Sequence, residues 1–294
     1  MMSIALLVKP AAWNKPRYRR ILDQLVADGA HVAISTTSAD LRNELKDLLA
    51  VVDDELVLIA CGGDGTVHFA INACAGLPVS LCIIPMGTGN DFARYLGLKS
   101  PVDGVSALQD GVRQRIDIGV IELSDGTRRH FAGVASCGFD AQVNERANGY
   151  RGPQGTAKYV AAIFGELRSL RALRLKMHFD DTTVEQQVTL LAVANTSSYG
   201  GGMKICPTAN AYDGVFEITC VDEVSRRELV RVLPRVFSGS HVSHPLVTQF
   251  TARNVSVSGA QFPVYADGER VGLGPVTISI EPGALSVCVV TSRP

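Results

Sequence analysis

The sequence predicts an α/β domain built on an open parallel sheet with helices on both faces, followed by a mainly antiparallel β-sandwich domain. Three observations carry this expectation. Apolar runs alternate with helical periodicities through the first hundred or so residues, strand-like runs dominate after about Ile116, and 294 residues are too many for one small core.

The elements follow in order. Ile4–Val8 is a short apolar run cut off by Lys9-Pro10, and Pro16–Asp28 carries Tyr18, Ile21, Leu22 and Leu25 at helical spacing before Gly29. His31–Ser35 reads as a strand. Leu41, Leu45, Leu48 and Leu49 share one face of a helix that Ser38 could cap. Leu56–Ala60 is a continuous apolar run, as a strand buried on both faces requires; Thr66–Ala75 is helical, and Leu81–Ile84 is a second buried strand. This series implies an open, Rossmann-like sheet.

The strand-like runs of the second half are Ile116–Leu123, His130–Ser136, Leu173–Phe179, Val184–Ala194, Gly214–Val221, Val255–Ser258, Pro263–Ala266, Val276–Ile280 and Ala284–Val290. Ser124-Asp125-Gly126 suits a hairpin turn. Only Ala157–Leu170 and Arg226–Phe237 look helical, with Pro234 bending or shortening the latter. The expected domains are 1–118 and 119–283, residues from about 284 to 294 could return to the first, and the active site is expected in the cleft between them.

Composition excludes some functions. Hydrophobic residues make up 46% and charged residues 19%, an ordinary folded globule, and a net charge of −1 argues against nucleic acid as a partner. Seven cysteines without a Cys-x-x-Cys pair suggest reduced, buried thiols in a cytoplasmic protein. Met1–Val8 lacks the pattern of a signal peptide, and no apolar run approaches the roughly 20 residues that span a bilayer. A lipid substrate would therefore be met by peripheral contact at the membrane surface. A homo-oligomer is the expectation for assembly.

Two loops carry chemistry. In an open parallel sheet, ligands bind beyond the carboxyl ends of the strands. The first such loop is Cys61-Gly62-Gly63-Asp64-Gly65-Thr66, whose glycines let backbone N–H groups close on an anion ahead of a helix N-terminus. Asp64 would repel phosphate directly, but it suits a Mg²⁺ lying between. No Lys-Ser/Thr follows, so this is not a Walker loop. The plain alternative is a strand-to-helix turn with Asp64 capping the helix. The second loop is Pro85-Met86-Gly87-Thr88-Gly89-Asn90-Asp91-Phe92, where Gly87 and Gly89 allow close backbone approach and Thr88 and Asn90 offer hydrogen bonds. Asp91 by itself reads as an N-terminal helix charge. Two such loops on neighbouring strands are hard to explain as turns alone.

In these residues the chain resembles the diacylglycerol kinase catalytic family, whose superfamily includes sphingosine and ceramide kinases and, more distantly, NAD kinases. The resemblance rests on the Gly62–Thr66 loop followed by Pro85–Arg94. It continues through Gly138-Phe139-Asp140-Ala141, Asn195, Tyr199-Gly200-Gly201-Gly202-Met203, Pro207-x-Ala209, Asp213-Gly214 and Asp267-Gly268-Glu269. It implies a bacterial-type soluble lipid kinase that moves the γ-phosphate of ATP, with Mg²⁺, to a hydroxyl of diacylglycerol or a related lipid alcohol. The implied ATP contacts are Thr36 or Thr37 together with Gly62, Gly63, Asp64, Gly65, Thr66, Gly87, Thr88, Gly89 and Asn90. Asp64 would stand by the catalytic metal. Asp267 or Glu269 would be the general base, against the alternative that Asp267-Gly268 is only a hairpin turn.

The resemblance also implies a second Mg²⁺ held by Asp213 and the Val215 carbonyl. Asn210 stands where some relatives carry an acid, and Lys9-Pro10 replaces the usual Asn-Pro. A ceramide or sphingoid kinase remains an alternative. NAD kinase is opposed by the Pro85–Phe92 run, and a non-catalytic regulator by retention of Asp64, Asp267 and Glu269. Trp13 could flank the nucleotide or only cover the sheet, while His68, which could also approach phosphate, and the arginines at 168, 171 and 174 with Lys176 read mainly as packing or solvated surface. The same holds for Arg226, Arg227, Arg231 and Arg235, though either basic group could meet anionic headgroups.

Overall fold

In the computed structural model, residues 2–8, 16–33, 35–110, 112–139, 141, 143–144, 146, 156–167 and 170–290 are described. Lys9-Pro10, Trp13, Asp140 and Arg168 lie outside the described residues. The chain divides into two compact units, Met1–Ile116 with Gly283–Pro294, and Asp117–Pro282.

The alternating apolar runs of the first unit become parallel strands. These are β1 (Met2–Val8), β2 (His31–Ala33), β3 (Glu55–Gly62) and β4 (Val79–Pro85), in the order β2-β1-β3-β4. β3 after its first residue, and all of β4, are buried, which is why both read as unbroken apolar runs. The helices are α1 (Pro16–Ala27), α2 (Ser38–Leu49), α3 (Asp64–Cys74), α4 (Asp91–Tyr95) and α5 (Pro101–Asp110). Thr37, not Ser38, caps α2, its Oγ1 accepting the Asp40 N–H at 3.1 Å. α3 starts at Asp64, two residues before its expected start, because Gly63 is extended and already occupies the N-cap. α5 escapes sequence reading because Gly104 interrupts its periodicity. That glycine has a packing reason: a Cβ there would lie 2.4 Å from the Ile83 carbonyl oxygen of β4.

In the second unit the strands pair antiparallel. They include β5 (Arg113–Leu123), which begins in the first unit, β6 (Arg128–Phe131), β7 (Val134–Gly138), β8 (Leu173–Phe179), β9 (Thr182–Ala194) and β10 (Phe216–Asp222). There follow β11 (Val247–Ala252), β12 (Asn254–Gly259), β13 (Pro263–Ala266), β14 (Glu269–Leu273) and β15 (Val276–Cys288). β9 is central and pairs with β7, β8 and β10. The expected run His130–Ser136 breaks at Ala132-Gly133 into β6 and β7. The two expected runs at the C-terminus form one strand, β15, carried through Gly283 at φ +58°. β11 and β14, largely exposed, were not expected. The sandwich core contains Phe131 stacked on Phe216, with centroids 5.8 Å apart. β15 starts in the second unit and ends in the first, where Ser286 and Val287 lie parallel to Ser80 and Leu81 of β4.

Helices α6 (Thr156–Glu166) and α7 (Arg226–Ser238) complete the second unit; Pro234 stands inside α7 and does not shorten it, since the helix runs one residue past the expected Phe237. No helix among the described residues is long and apolar enough to cross a membrane. All seven cysteines are free and buried, and burial pushes the thiols of Cys61, Cys74 and Cys206 up to about 12.

Candidate active site

The two glycine-rich loops leave neighbouring strands, and their backbones touch. β3 and β4 are in register from Leu56↔Val79 to Gly62↔Pro85, so the chain emerges from both at the same level. A Cβ on Gly87 would sit 2.5 Å from the Gly63 Cα, and one on Gly62 would meet the Thr66 Oγ1 at 2.2 Å. No side chain fits there, which is the physical reason for glycine at these positions. The Met86 N–H donates to the Gly62 carbonyl at 2.8 Å and ties the second loop to the first.

Asp64 completes the tie. Its Oδ2 accepts the Asn90 N–H and its Oδ1 the Asp91 N–H, each at 2.8 Å. The carboxylate therefore satisfies the first donors of α4 rather than capping its own helix. Gly89 is obligatory for this arrangement, since a Cβ there would come within 2.3 Å of the Asp64 Oδ2. Asn90 takes a left-handed conformation, φ +53°, and its amide exchanges two hydrogen bonds with Gly87, at 3.1 and 3.0 Å. Arg94 bonds both the Gly89 carbonyl and the Asp91 carboxylate.

Gly62, Gly63, Asp64, Gly87, Gly89 and Asn90 thus form one rigid backbone surface at the carboxyl ends of two strands. Gly65 lies in the first turn of α3, Thr66 is buried, and Thr88 is exposed at the tip of the second loop. Thr36 is exposed ahead of α2, while the Thr37 hydroxyl is engaged with Asp40 as a cap. His68 pairs with Asn72 one helical turn on.

In the second unit, Asp267-Gly268 is the two-residue turn between β13 and β14, with both residues at positive φ, +52° and +81°. The turn reading is therefore correct as local structure. It also has a second consequence: the turn aims the Asp267 side chain at the break between β6 and β7. Its Oδ1 accepts the N–H of Gly133 at 2.8 Å and of Val134 at 3.2 Å, and its Oδ2 accepts that of Ala132 at 3.1 Å. A Cβ on Gly133 would lie 2.6 Å from the carboxylate, so Gly133 is what lets the acid approach. Glu269, two residues on, is exposed.

A buried polar network surrounds this nest. Asn195, fully buried, donates through Nδ2 to the carbonyls of Asp117 at 2.8 Å and Ala132 at 2.9 Å. Asp117, buried, accepts the Gly214 N–H at 2.7 Å, and its own N–H donates to the Ala211 carbonyl. The Asn195 Oδ1 and Thr196 Oγ1 are buried without partners. Sequence reading noted Asn195 but missed Asp117, Gly133 and Thr196; only a glycine within a strand-like run pointed to this place.

Asp213 and Asn210 are exposed in the loop that Asp117 anchors, and the Asp213 Oδ1 accepts the Val215 N–H at 3.2 Å. Burial pushes the Glu217 carboxyl up, opposed by a hydrogen bond from Thr208 and reinforced by the negative charge of Asp213. Among the described residues, no group of three or more His, Cys, Asp or Glu side chains converges as a metal cage. Asp64 offers a carboxylate at the glycine loops, and Asp213 and Asn210 offer exposed side-chain oxygens in their loop. Mg²⁺ commonly takes one or two carboxylates and completes its shell with water or phosphate oxygens.

Comparisons with known proteins agree with this reading of the fold. Residues 7–121 match the diacylglycerol kinase catalytic domain, and residues 133–289 match the YegS C-terminal NAD kinase beta sandwich-like domain. A diacylglycerol kinase of Mycobacterium tuberculosis (strain H37Rv) is 40% identical over 251 residues, covering 84% of this chain and 81% of that protein. A diacylglycerol kinase of Staphylococcus saprophyticus is 34% identical over 226 residues, covering 74% and 72%. A solved diacylglycerol kinase structure from Bacillus anthracis str. Sterne superposes with a TM-score of 0.71 at 18% identity, covering 98% of each chain. These matches define the class: the protein is a lipid kinase. The chain belongs to the diacylglycerol kinase family.

Proposed function

We propose that this lipid kinase takes ATP as its phosphoryl donor and transfers the γ-phosphate to a hydroxyl of diacylglycerol or a closely related lipid alcohol. The observation that carries the donor side is the pair of glycine loops clamped by Asp64. Their crowding at Gly63 and Gly87 keeps side chains out, so that a phosphate would meet backbone there, ahead of the α3 N-terminus. The first unit would hold the nucleotide and the second would serve the acceptor. The acceptor class is supported by the 40% identical relative, a diacylglycerol kinase.

In this reading the glycine loops and Thr88 orient the phosphates, with Thr36 at the edge of the nucleotide site. Asp64 would hold Mg²⁺ together with phosphate oxygens, and Asp213, the Val215 carbonyl and Asn210 would hold a second Mg²⁺. Bound metal offsets the negative charge that develops during transfer. Asp267 or Glu269 accepts the proton of the attacking hydroxyl. Asp267 is held rigidly by three N–H donors, while Glu269 is free to follow an acceptor.

The test incubates the protein with labelled ATP, Mg²⁺ and a panel of diacylglycerol, monoacylglycerol, ceramide, sphingoid base and NAD. Label is expected in diacylglycerol first. Label found only in NADP, or in none of the acceptors, would overturn the proposal. Asp267→Asn should lower turnover by roughly 10²-fold or more while ATP affinity stays within a few-fold, and Glu269→Gln reports whether the second carboxylate shares the role. A large loss of ATP affinity in Asp267→Asn would reassign Asp267 to the nucleotide.

A further inference from the structure

Helix α7 is unlike the other long helices whose side chains are described. α1 buries Tyr18, Leu22 and Leu25, and α2 buries Leu41 and Leu45, whereas α7 buries no side chain. Its inward residues Leu229, Leu233 and Val236 are partly buried against Phe139, Ile163 and Met203. They roof a small, almost wholly apolar pocket. The helix thus packs on this small cluster without any of its own side chains becoming fully buried. Its ends hold it in place: Ser225 caps the first turn, Glu228 pairs with His244 at 3.0 Å, and Gly239 terminates it in the left-handed conformation.

The outward face alternates charge with exposed apolar groups. Arg226, Arg227, Arg231 and Arg235 stand against the single acid Glu228, which pairs with Arg231 at 3.0 Å. Among the described residues, Arg227 and Arg235 have no ion pair. Between the arginines, Val230 is 38% and Phe237 37% exposed. A chain of net charge −1 therefore concentrates positive charge and large apolar side chains on one helical face. A merely solvated face needs the charge but not the phenylalanine. An anionic bilayer matches both, with guanidinium groups at the phosphates and apolar side chains at the acyl boundary.

We propose that α7 is the surface by which this kinase docks on an anionic lipid bilayer. The function of such docking rests on the lipid kinase assignment, since a lipid acceptor lies in the membrane. The docking itself can be tested without any phosphorylation.

The full-length protein is floated with vesicles of phosphatidylcholine alone and with vesicles containing about one-third phosphatidylglycerol. It should rise with the anionic vesicles, stay behind with the neutral ones, and be released as salt is raised from about 0.1 to 0.5 M. The double variant Arg227→Gln/Arg235→Gln should partition about 25-fold more weakly, roughly fivefold per arginine. Phe237→Ser should weaken binding further, and both variants should keep the wild-type melting midpoint. Equal binding to both vesicle types, no binding to either, or undiminished binding by the double variant would overturn the proposal. Salt release of the wild type decides the matter if a variant fails to fold. A short-chain, water-soluble diacylglycerol should be phosphorylated equally by wild type and double variant. If wild type binds anionic vesicles yet phosphorylates no lipid, docking stands and the proposed function fails.

Discussion

At the carboxylate of Asp64 the two readings of an acid in a glycine loop meet. As a cap it serves α4, 26 residues away, and in the proposed role the same carboxylate would also meet Mg²⁺. The clamp makes a prediction. Asp64→Ala leaves two N–H groups at the start of α4 without their acceptor, at about 1–3 kcal/mol each if they stay dry. The second loop should then loosen, ATP affinity should fall at least tenfold, and the melting midpoint should drop by only a few degrees. Gly87→Ala should act the same way by forcing Gly63 aside. Titration calorimetry with ATP, alongside thermal unfolding, checks both; unchanged affinity in either variant would detach the clamp from the nucleotide. Asp267 carries the same lesson. Asp-Gly was legible as a turn, yet its three N–H partners lie more than 130 residues away and nothing local announces them.

Among the elements, those with a strong period or a continuous apolar run were legible, because burial on a helix face or within a sheet imposes that pattern on the residues themselves. β3, β4, β8 and β13 are of this kind. α5 was not, since Gly104 replaces a side chain where the helix backbone approaches β4. That contact is testable. Gly104→Ala drives a methyl to within 2.4 Å of the Ile83 carbonyl and should destabilise the protein by about 1–3 kcal/mol through overpacking, despite alanine's better helix propensity. Denaturant unfolding measures this, and a stabilised variant would refute the packing account. β11 and β14 were illegible for another reason. Their side chains are mostly exposed, so what makes them strands is pairing with β10 and β13 rather than an alternating pattern.

For the whole molecule, acid stability has one identifiable contributor near neutral pH. Burial lowers the His241 pKa below its usual value of 6.5, against the opposing hydrogen bond to the Ile205 carbonyl at 3.1 Å. Unfolded chain binds a proton near 6.5 that the folded protein resists. His241 therefore contributes stability above that pH, and the contribution is lost as pH falls toward the folded pKa. The melting midpoint should decline on going from pH 7 to about 5.5, with a slope of at most about 1.4 kcal/mol per pH unit from this residue. His241→Asn should flatten the decline, and an unaltered slope would assign it to other groups.

Taken alone, the sequence determined most of the strands and helices, though not α5, β11 or β14, together with the glycine loops after β3 and β4, the turn at Asp267, the buried cysteines and the resemblance to a kinase family. All of these are properties of short stretches, governed by propensity, periodicity and the stereochemistry of glycine. Only the tertiary structure decided that Asp64 clamps one loop to the other, that Gly133 admits Asp267, and that α7 roofs a small apolar pocket with its arginines outward. Each of these depends on which segments sheet pairing brings together, and hydrogen bonds across 26 or 134 residues leave no local trace in the chain.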